Sequence, residues 1–295
     1  MGRKAARVDD NHVCPLNGTP PAFTPPPPHV GGPILPLGAE NVLFNGHHAA
    51  RVTDKAECAK KAVPDDTIRG GLMTFFIEGN PAARIYDKTD VGSIVEGSPN
   101  IELGEWAGGA LTPEQAQWLY DYLKQQKEIP FEYATDGCFA RADRMADYIG
   151  ALGASVDKQW VRATTASGSL HVPISNYPGG GPTWGWHVAP VVQVIQPGGA
   201  VQPMVLDPSL GLAGPVSVGD WIAPQTTNPG AVVTGSTSKD VYFRGWNSRT
   251  ESWNDASNTM RTPERTASDL NDYRQLRANL PSSSGRNVPN VPVHY

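Results

Sequence analysis

The stretch Ile129–Met145, which reads I-P-F-E-Y-A-T-D-G-C-F-A-R-A-D-R-M, decides how the second half of the chain folds. Alternating apolar residues at its start indicate a strand, and the pair Asp136-Gly137 indicates a turn. Apolar residues then recur with helical spacing: Phe139, Ala142, Met145 and Ile149. The stretch therefore predicts a strand, a turn and a helix that begins at Cys138 and stops at Gly153.

Cys138 is the first candidate for chemistry. A cysteine in the first turn of a helix lies over unpaired backbone N–H groups and the positive end of the helix dipole, which favour thiolate over thiol. Arg141 and Arg144 act in the same direction if they turn toward the sulfur. The alternative interpretation is a buried, inert cysteine, since free cysteines are among the most buried residues.

Two later residues favour a reactive Cys138 over an inert one. His187 stands at the mouth of a buried strand, Val188–Val194, and Asp207 lies in the next predicted strand, Met204–Leu210. Each also has an interpretation without catalysis: His187 as a structural histidine, and Asp207 as the start of an Asp-Pro turn. In the order cysteine, histidine, aspartate they indicate a papain-type triad, although order alone is weak support.

Trp184 and Trp186 flank this histidine and are candidates for the walls of a substrate cleft. Ordinary aromatic packing explains two tryptophans equally well.

Composition narrows the class of protein. The chain has 295 residues, 39% hydrophobic and 18% charged, with a net charge of −5 and no basic stripe, which argues against a nucleic-acid-binding protein. Its three cysteines, Cys14, Cys58 and Cys138, are too few and too unevenly spaced to indicate a disulfide framework. No run approaches the ~18 apolar residues of a membrane helix, and the first residues lack a signal-peptide core. We expect a protein made in the cytoplasm without a signal peptide.

The first hundred residues contain a repeated unit. A-A-R-V-D-D at 5–10, A-A-R-V-T-D at 49–54 and A-A-R-I-Y-D at 82–87 are three copies of one motif, and glycine-bounded β-rich runs precede the second and third. This pattern predicts repeated β-hairpins, each burying the face of its neighbour. So small a structure needs a staple beyond its core.

Metal is the candidate staple. Cys14 and Cys58 each lie four residues after the aspartate that ends a copy, and valine takes this place in the third copy. His12 and His29 are close to the first copy in sequence. Two imidazoles and one or two thiolates suit tetrahedral zinc, whereas the alternative interpretation is that the histidines are ordinary surface residues.

Five motifs in order give this region a resemblance. D-x-H-x-C-P, P-H-V-G-G-P-I-L-P-x-G, N-G-x-x-A-A-R-V-x-D-x-x-x-C, G-N-P-A-A-R and I-V-x-G-S-P-N-I resemble a PAAR-repeat domain across residues 1–104. The resemblance implies a small cone-shaped all-β fold that caps the trimeric VgrG-type spike protein of the type VI secretion machine, with a structural zinc ion near its tip. It places His12, His29 and Cys58 at ligand positions. Val91 stands where the family often has histidine, so we expect Cys14 as the fourth ligand, with Asp90 or water as alternatives.

The second half resembles another family. I-P-F-x-Y-x-x-D-G-C-F-A-R-A, W-H-V-A-P-V-V and V-L-D-P-S-L are similar to the protein-glutaminase (protein-glutamine deamidase) family between about Leu111 and Leu210. The similarity extends more weakly through Trp221 and a predicted helix, Ala267–Leu276. The resemblance implies a papain-like α+β domain with the nucleophile on a helix packed against an antiparallel sheet. It implies a triad of Cys138, His187 and Asp207 and no cofactor for catalysis. Asp143 stands where the family often has histidine, outside the triad.

The sequence thus predicts two domains. Residues 1–104 form the PAAR-like domain, 105–111 a linker, 112–280 the catalytic domain and 281–295 a flexible tail. Thr112, with Gln115 at the capping-box position, is expected to begin the first helix of the catalytic domain.

The two resemblances together imply a type VI secretion effector, a toxin that deamidates glutamine side chains of a protein inside a target cell. They imply a VgrG-type partner and a cognate immunity protein. Two alternatives stay open: a thiol protease, transglutaminase or peptidoglycan amidohydrolase on the same papain-like fold, and a non-enzymatic spike-tip protein.

Overall fold

A computed structural model describes residues 2–14, 31–58, 65–104, 109–132, 136–173 and 180–278. Backbone contacts divide the chain into two compact units, Met1–Gly109 with Tyr148–Ala154, and Ala110–Asp147 with Ser155–Tyr295. The domain boundaries predicted from the sequence stay predictions, and the tail at 281–295 lies outside the described residues. Within the described ranges, no helix has the length and apolar character needed to cross a membrane.

Short antiparallel strands build the N-terminal unit. They are β1 (Arg3–Lys4), β2 (His12–Val13), β3 (Leu43–Phe44), β4 (His47–His48), β5 (Lys55–Ala56), β6 (Asp66–Thr67), β7 (Leu72–Ile77), β8 (Asn80–Ala82), β9 (Ser93–Ile94) and β10 (Glu102–Leu103). They pair in twos as β1–β10, β2–β9, β3–β4, β5–β6 and β7–β8. The hairpins β3–β4 and β7–β8 lie where the glycine-bounded runs predicted them.

The three A-A-R copies close on one another in a ring. The N–H of Ala6 donates to the carbonyl of Ala83 at 2.9 Å, Ala83 donates to Ala50 at 2.9 Å, and Ala50 donates to Ala6 at 3.0 Å. All three alanines are fully buried. A side chain larger than a methyl group would not let the three backbones approach so closely. The repeats therefore surround a pseudo-threefold axis.

Each copy ends in the same turn, which explains why arginine and aspartate recur three residues apart. In every copy the aspartate N–H donates to the arginine carbonyl, and the aspartate carboxylate accepts from the arginine backbone N–H and guanidinium. The residue before the aspartate has a positive φ, 74° at Asp9, 81° at Thr53 and 69° at Tyr86. This backbone conformation is unfavourable for side chains other than glycine, and the ion pair across the turn offsets its cost.

The described remainder of the chain combines four α-helices with antiparallel strands. The helices are α1 (Pro113–Lys124), α2 (Cys138–Ala151), α3 (Val218–Ile222) and α4 (Pro263–Ala278). The strands are β11 (Asp157–Ala163), β12 (Leu170–His171), β13 (Thr183–Trp184), β14 (Trp186–Ile195), β15 (Val201–Val205), β16 (Val216–Ser217), β17 (Val232–Ser238), β18 (Val241–Phe243), β19 (Trp246–Asn247), β20 (Ser252–Trp253) and β21 (Thr259–Met260). The order β16-β15-β14-β11-β17 forms one five-stranded antiparallel sheet. The fold is mixed α/β with few helices.

The capping box predicted for the first helix is present. Thr112 accepts from the N–H of Gln115, and the Gln115 side chain accepts from the N–H of Thr112.

Two predicted strands are wrong in part. The run from Ile129 to Glu132 is a turn, in which the N–H of Ile129 donates to Gln126, and Tyr133 lies outside the described residues. Pro130 has no N–H to give to a ladder, which favours the turn. The run predicted as a strand to Leu210 ends at Val205, because Asp207 caps a short 3₁₀ helix, Pro208–Leu210.

A buried ion pair holds α2 in place. The Nζ of Lys158 on β11 donates to Asp143 Oδ1 at 2.7 Å and to the carbonyl of Val241 at 2.9 Å. Thr266 on α4 donates to the other oxygen of Asp143 at 2.7 Å. Both charged side chains are fully buried, and Asp143 also lies 3.3 Å from Nε of Arg261, so two cations neutralise its carboxylate. This network fixes the helix that begins at Cys138 against the sheet.

Candidate active site

The antiparallel pairing of β14 with β15 brings His187 and Asp207 together. Val191 lies opposite Val205, so the residue four before Val191 and the residue two after Val205 meet at the same end of the ladder. His187 Nε2 lies 2.8 Å from Asp207 Oδ2, and each residue is 1% exposed. Because a carboxylate accepts, Nε2 carries the imidazole proton. The other nitrogen, Nδ1, is buried and has no hydrogen-bond partner in the described part of the chain.

Asp207 is held by four donors. Besides His187, its Oδ2 accepts from Trp221 Nε1 at 2.9 Å, and its Oδ1 accepts from the Ser209 hydroxyl and from the Ser209 N–H at 3.2 Å. Burial alone would raise the pKa of this carboxyl, but His187, Ser209 and Trp221 together hold the pKa below its ordinary value. Asp207 is therefore an ionised carboxylate with one fixed orientation.

Two tryptophan rings stack on the imidazole. The Trp184 ring centroid is 4.9 Å from that of His187 with an interplanar angle of 12°, and the Trp221 centroid is 5.5 Å away at 28°. Trp184 is buried, whereas Trp186 is partly exposed and packs near Phe139. Of the two predicted cleft residues, Trp184 thus contacts the histidine directly. Their contact with substrate stays a prediction.

Cys138 begins α2 directly after a tight turn. Gly137 has a φ of 77°, as the predicted turn requires, and its carbonyl accepts the N–H of Arg141. The Tyr273 ring of α4 lies against Gly137, so closely that a Cβ there would be 2.5 Å from a ring carbon. Cys138 packs in one buried cluster with Val188, the residue after His187, whose backbone N–H acts to lower the pKa of the thiol. The nucleophile candidate thus contacts the strand that carries the histidine, although no hydrogen bond joins Cys138 to His187 within the described ranges.

Burial dominates the electrostatics of Cys138. The side chain is 4% exposed, and burial raises the pKa of its thiol to about 12, against a smaller lowering by Arg141. Arg141 is itself buried and donates to the carbonyl of Asp136 at 2.6 Å. Burial therefore outweighs the lowering of the thiol pKa that we expected from the N-terminus of the helix. At neutral pH the resting sulfur is a protonated thiol.

Sequence reasoning missed three side chains around these residues. Ser209 had a readable signal, because Asp-Pro-Ser is typical of an aspartate that caps a turn. Trp221 and Tyr273 lie where the resemblance to protein-glutaminases is weaker, and no role was predicted for either, because α3 and α4 reach the site only through tertiary packing.

The two cysteines of the N-terminal unit meet as the repeat predicted. The sulfurs of Cys14 and Cys58 are 3.9 Å apart and both residues are buried. A tetrahedral zinc ion with Zn–S bonds of about 2.3 Å holds two sulfurs about 3.8 Å apart. This pair therefore fits half of a zinc site.

The histidines do not complete that site in the described residues. His12 Nδ1 is 2.9 Å from the carbonyl of Gly32, and its Nε2 is 3.2 Å from Asp66 Oδ2. His29 lies outside the described residues. Among the described ranges, no group of three or more His, Cys, Asp or Glu side chains is placed to hold a metal ion. The four-ligand set stays a prediction.

Two family models match the chain. Residues 24–97 match the PAAR motif, and residues 116–225 match a glutaminase family. These matches confirm the predicted fusion of a PAAR region with a glutaminase domain. The glutaminase domain supports an enzymatic activity, protein-glutamine deamidation.

Solved structures similar to the chain include a crystal structure of protein-glutaminase, at 21% identity over 64% of this chain and 97% of that chain, with a TM-score of 0.48. The NMR structure of protein-glutaminase from Chryseobacterium proteolyticum is 22% identical over 61% of this chain and 95% of that chain, with a TM-score of 0.47. A crystal structure of the A47Q2 mutant of pro-protein-glutaminase is 14% identical over 97% of each chain, with a TM-score of 0.48. No curated protein matches the chain.

Proposed function

We propose that the chain is a type VI secretion effector whose second domain converts glutamine side chains of a target protein to glutamate and releases ammonia. Cys138 is the nucleophile, His187 the general base and acid, and Asp207 the residue that orients the imidazole. The observation that carries this proposal is the buried His187–Asp207 pair, in which Nε2 is engaged and Nδ1 has no hydrogen-bond partner among the residues that the structure describes. A papain-like triad uses such an imidazole to accept the proton of a cysteine on a neighbouring helix.

The first half of the reaction transfers the acyl group to the enzyme. Nδ1 of His187 takes the Cys138 proton as the sulfur attacks the side-chain carbonyl carbon of glutamine. The resulting oxyanion needs preorganised donors, and the backbone N–H of Cys138 at the start of α2 is the candidate. When the carbon–nitrogen bond breaks, His187 returns the proton to the leaving nitrogen, which departs as ammonia. A thioester remains on Cys138.

The second half releases glutamate. Nδ1 of His187 takes a proton from water while the water oxygen attacks the thioester carbon. The carbon–sulfur bond breaks, and the sulfur recovers its proton from His187. Throughout, the carboxylate of Asp207 keeps the Nε2 proton in place and stabilises the imidazolium that forms twice per turnover.

The raised pKa of the Cys138 thiol shapes this mechanism. A thiol with a pKa of about 12 is not a standing thiolate at neutral pH, so its proton must move to His187 during the attack. The charged pair then forms when substrate is bound, next to the buried Asp207 carboxylate that favours it.

Product analysis tests the proposed reaction. Incubating the purified chain with a glutamine-rich protein is expected to release ammonia and to add about 1 Da per site, because NH2 is replaced by OH, with no change in chain length. New peptide termini would show a protease instead, and cross-links to added amines a transglutaminase. Release of peptide from peptidoglycan would show an amidohydrolase, and the absence of every product would favour the non-enzymatic spike-tip protein.

The N-terminal domain supplies the proposed delivery. A PAAR domain implies association with a VgrG-type spike, and the pseudo-threefold ring of Ala6, Ala50 and Ala83 gives the unit a symmetry suited to a trimeric partner. We place the chain on that spike for transfer into a target cell, with an immunity protein blocking the enzyme in the producing cell. Zinc bound by Cys14, Cys58, His12 and His29 would staple the unit.

Replacing Cys58 by serine tests the staple. We expect the purified C58S chain to lose its zinc, measured by elemental analysis, and to bind a trimeric VgrG-type protein more weakly because the unit that docks is less stable. The matched control is C138S, which removes the one cysteine outside this unit and should keep zinc and binding. Equal zinc content in C58S and wild type would contradict the assignment of Cys58.

A further inference from the structure

Trp221 contacts both Asp207 and His187. Its Nε1 donates to Asp207 Oδ2 at 2.9 Å, the same oxygen that accepts from His187 Nε2. Its ring is stacked on the imidazole at 5.5 Å. The residue is fully buried on the short helix α3, outside the three motifs that resemble a protein-glutaminase.

We propose that Trp221 is a positioning residue for the proposed deamidation, which orients Asp207 through its indole N–H and thereby fixes the imidazole tautomer. The inference rests on the proposed function. Trp221 does not touch the reacting atoms, so its effect passes through Asp207 and His187.

The geometry gives Trp221 more than a packing role. A carboxylate with one fixed donor can rotate about its side-chain bond, whereas one with donors on both oxygens cannot. Apart from the imidazole that is to be oriented, Ser209 holds Oδ1 and Trp221 holds Oδ2, so Trp221 is the donor that holds the oxygen facing His187 independently of the imidazole itself. With Nε2–H fixed on that acceptor, Nδ1 is left deprotonated in the neutral imidazole, as proton transfer from Cys138 requires.

The backbone around Trp221 is itself held. The side chain of Gln225, also fully buried, donates to the Trp221 carbonyl at 2.7 Å. Ser217 caps α3 by accepting the N–H of Asp220 at 3.1 Å. Because β16, which leads directly into α3, pairs with β15, the ladder brings Trp221 to the residue that follows β15 by two positions. This placement depends on the sheet and not on a mobile loop.

The matched comparison is Trp221→Phe against Trp160→Phe. Trp160 is also buried, and its Nε1 donates to the hydroxyl of Thr237 at 2.8 Å, so both variants remove one indole N–H from the core. We expect W221F to lower kcat about tenfold to a hundredfold, the effect of losing a hydrogen bond to a charged group, with little change in KM. W160F should change kcat less than about twofold.

The pH profile separates positioning from packing. Removing the indole donor raises the pKa of Asp207, whose carboxylate form is the active one, so activity is lost at a higher pH as the solution is acidified. The other ionisable groups that act on Asp207 are His187 on β14, Cys138 on α2 and Tyr120 on α1, and all three are unchanged in W221F. The ratio of W221F to wild-type kcat should therefore fall as the pH is lowered toward about 4, the ordinary range of an aspartate, whereas the W160F ratio stays constant.

A measurement without turnover separates this inference from the proposed function. In ¹⁵N-histidine-labelled protein, assigned with a His187→Gln variant, the Nε2–H of His187 should exchange with water about tenfold faster in W221F than in wild type, because its acceptor is less fixed. Should wild type release no ammonia, the proposed function fails, and this exchange rate alone decides whether Trp221 orients the pair.

Equal kcat loss and equal pH profiles for W221F and W160F, or unchanged Nε2–H exchange, would overturn the proposal. If W221F does not fold, Gln225→Met replaces it, since that variant keeps the indole and removes only the donor to the Trp221 carbonyl. Q225M should change kcat, the pH ratio and the exchange rate in the same directions as W221F, by about threefold. If none of the three changes, the proposal is overturned.

Discussion

Replacing Cys138 by alanine is expected to reduce ammonia release by at least about 10⁴-fold, the scale seen when a nucleophile is removed from a triad. The other two cysteines, Cys14 and Cys58, lie in the N-terminal unit and are 3.9 Å from each other. His187 and Asp207 would remain paired at the end of β14, but with no sulfur to form the thioester. The measurement is the rate of ammonia release from a protein substrate, together with mass spectrometry of that protein.

Stability must be separated from chemistry in this experiment. Cys138 is 4% exposed and packs in the core with Phe139 and Val188, so its truncation is expected to cost about 1 kcal/mol of unfolding free energy. Ile149→Val on the same helix is the matched control, with a cost of about 1 kcal/mol and the thiol intact. A folded C138A protein that keeps wild-type turnover would rule out the proposed mechanism.

The parts of the site that could be predicted from the sequence are those encoded locally. The Asp136-Gly137 turn and the helical spacing after Cys138 depend on neighbouring residues, and the structure has the turn, the helix and the buried face where they were expected. His187 and Asp207 could be placed near each other because each lies at an end of an apolar run, and adjacent strands of a sheet align such ends.

Other features depend on long-range packing that no local pattern reveals. The turn at Ile129 replaced a predicted strand because alternation of apolar residues does not register that Pro130 lacks a donor. The pKa of Cys138 follows from how completely the sulfur is buried, with Tyr273 of α4 packed on the preceding Gly137. Trp221 could not be predicted as a partner of Asp207 because its position depends on the pairing of β16 with β15.

In the N-terminal unit, too, the spacing of the repeat predicted some features of the structure and not others. Equal spacing from the repeated aspartates placed Cys14 and Cys58 in phase, and their sulfurs are 3.9 Å apart. The closure of the three copies into a ring was not predicted, because sequence repeats do not distinguish a linear stack from a closed one. The ring follows from the hydrogen bonds among Ala6, Ala50 and Ala83.

Asp207→Asn is expected to lower kcat by about 10³-fold to 10⁴-fold, with KM changed little because Asp207 is 1% exposed and acts through His187. The carboxylate accepts four hydrogen bonds, two on each oxygen. An asparagine amide has only one acceptor oxygen, and its NH2 group must face donors whichever way it lies.

Both orientations of that amide impair the reaction. With its oxygen toward His187 and Trp221, the tautomer is kept, but the negative charge that stabilises the imidazolium is gone. With its NH2 group toward His187, Nε2 becomes the acceptor and the proton moves to Nδ1, which then cannot take the Cys138 proton. Steady-state kinetics should therefore show a loss confined to kcat. Asp220→Asn, an exposed aspartate on α3, is the control for the same chemical change. If D207N kept kcat within about threefold of D220N, a role for Asp207 in orienting His187 would be excluded.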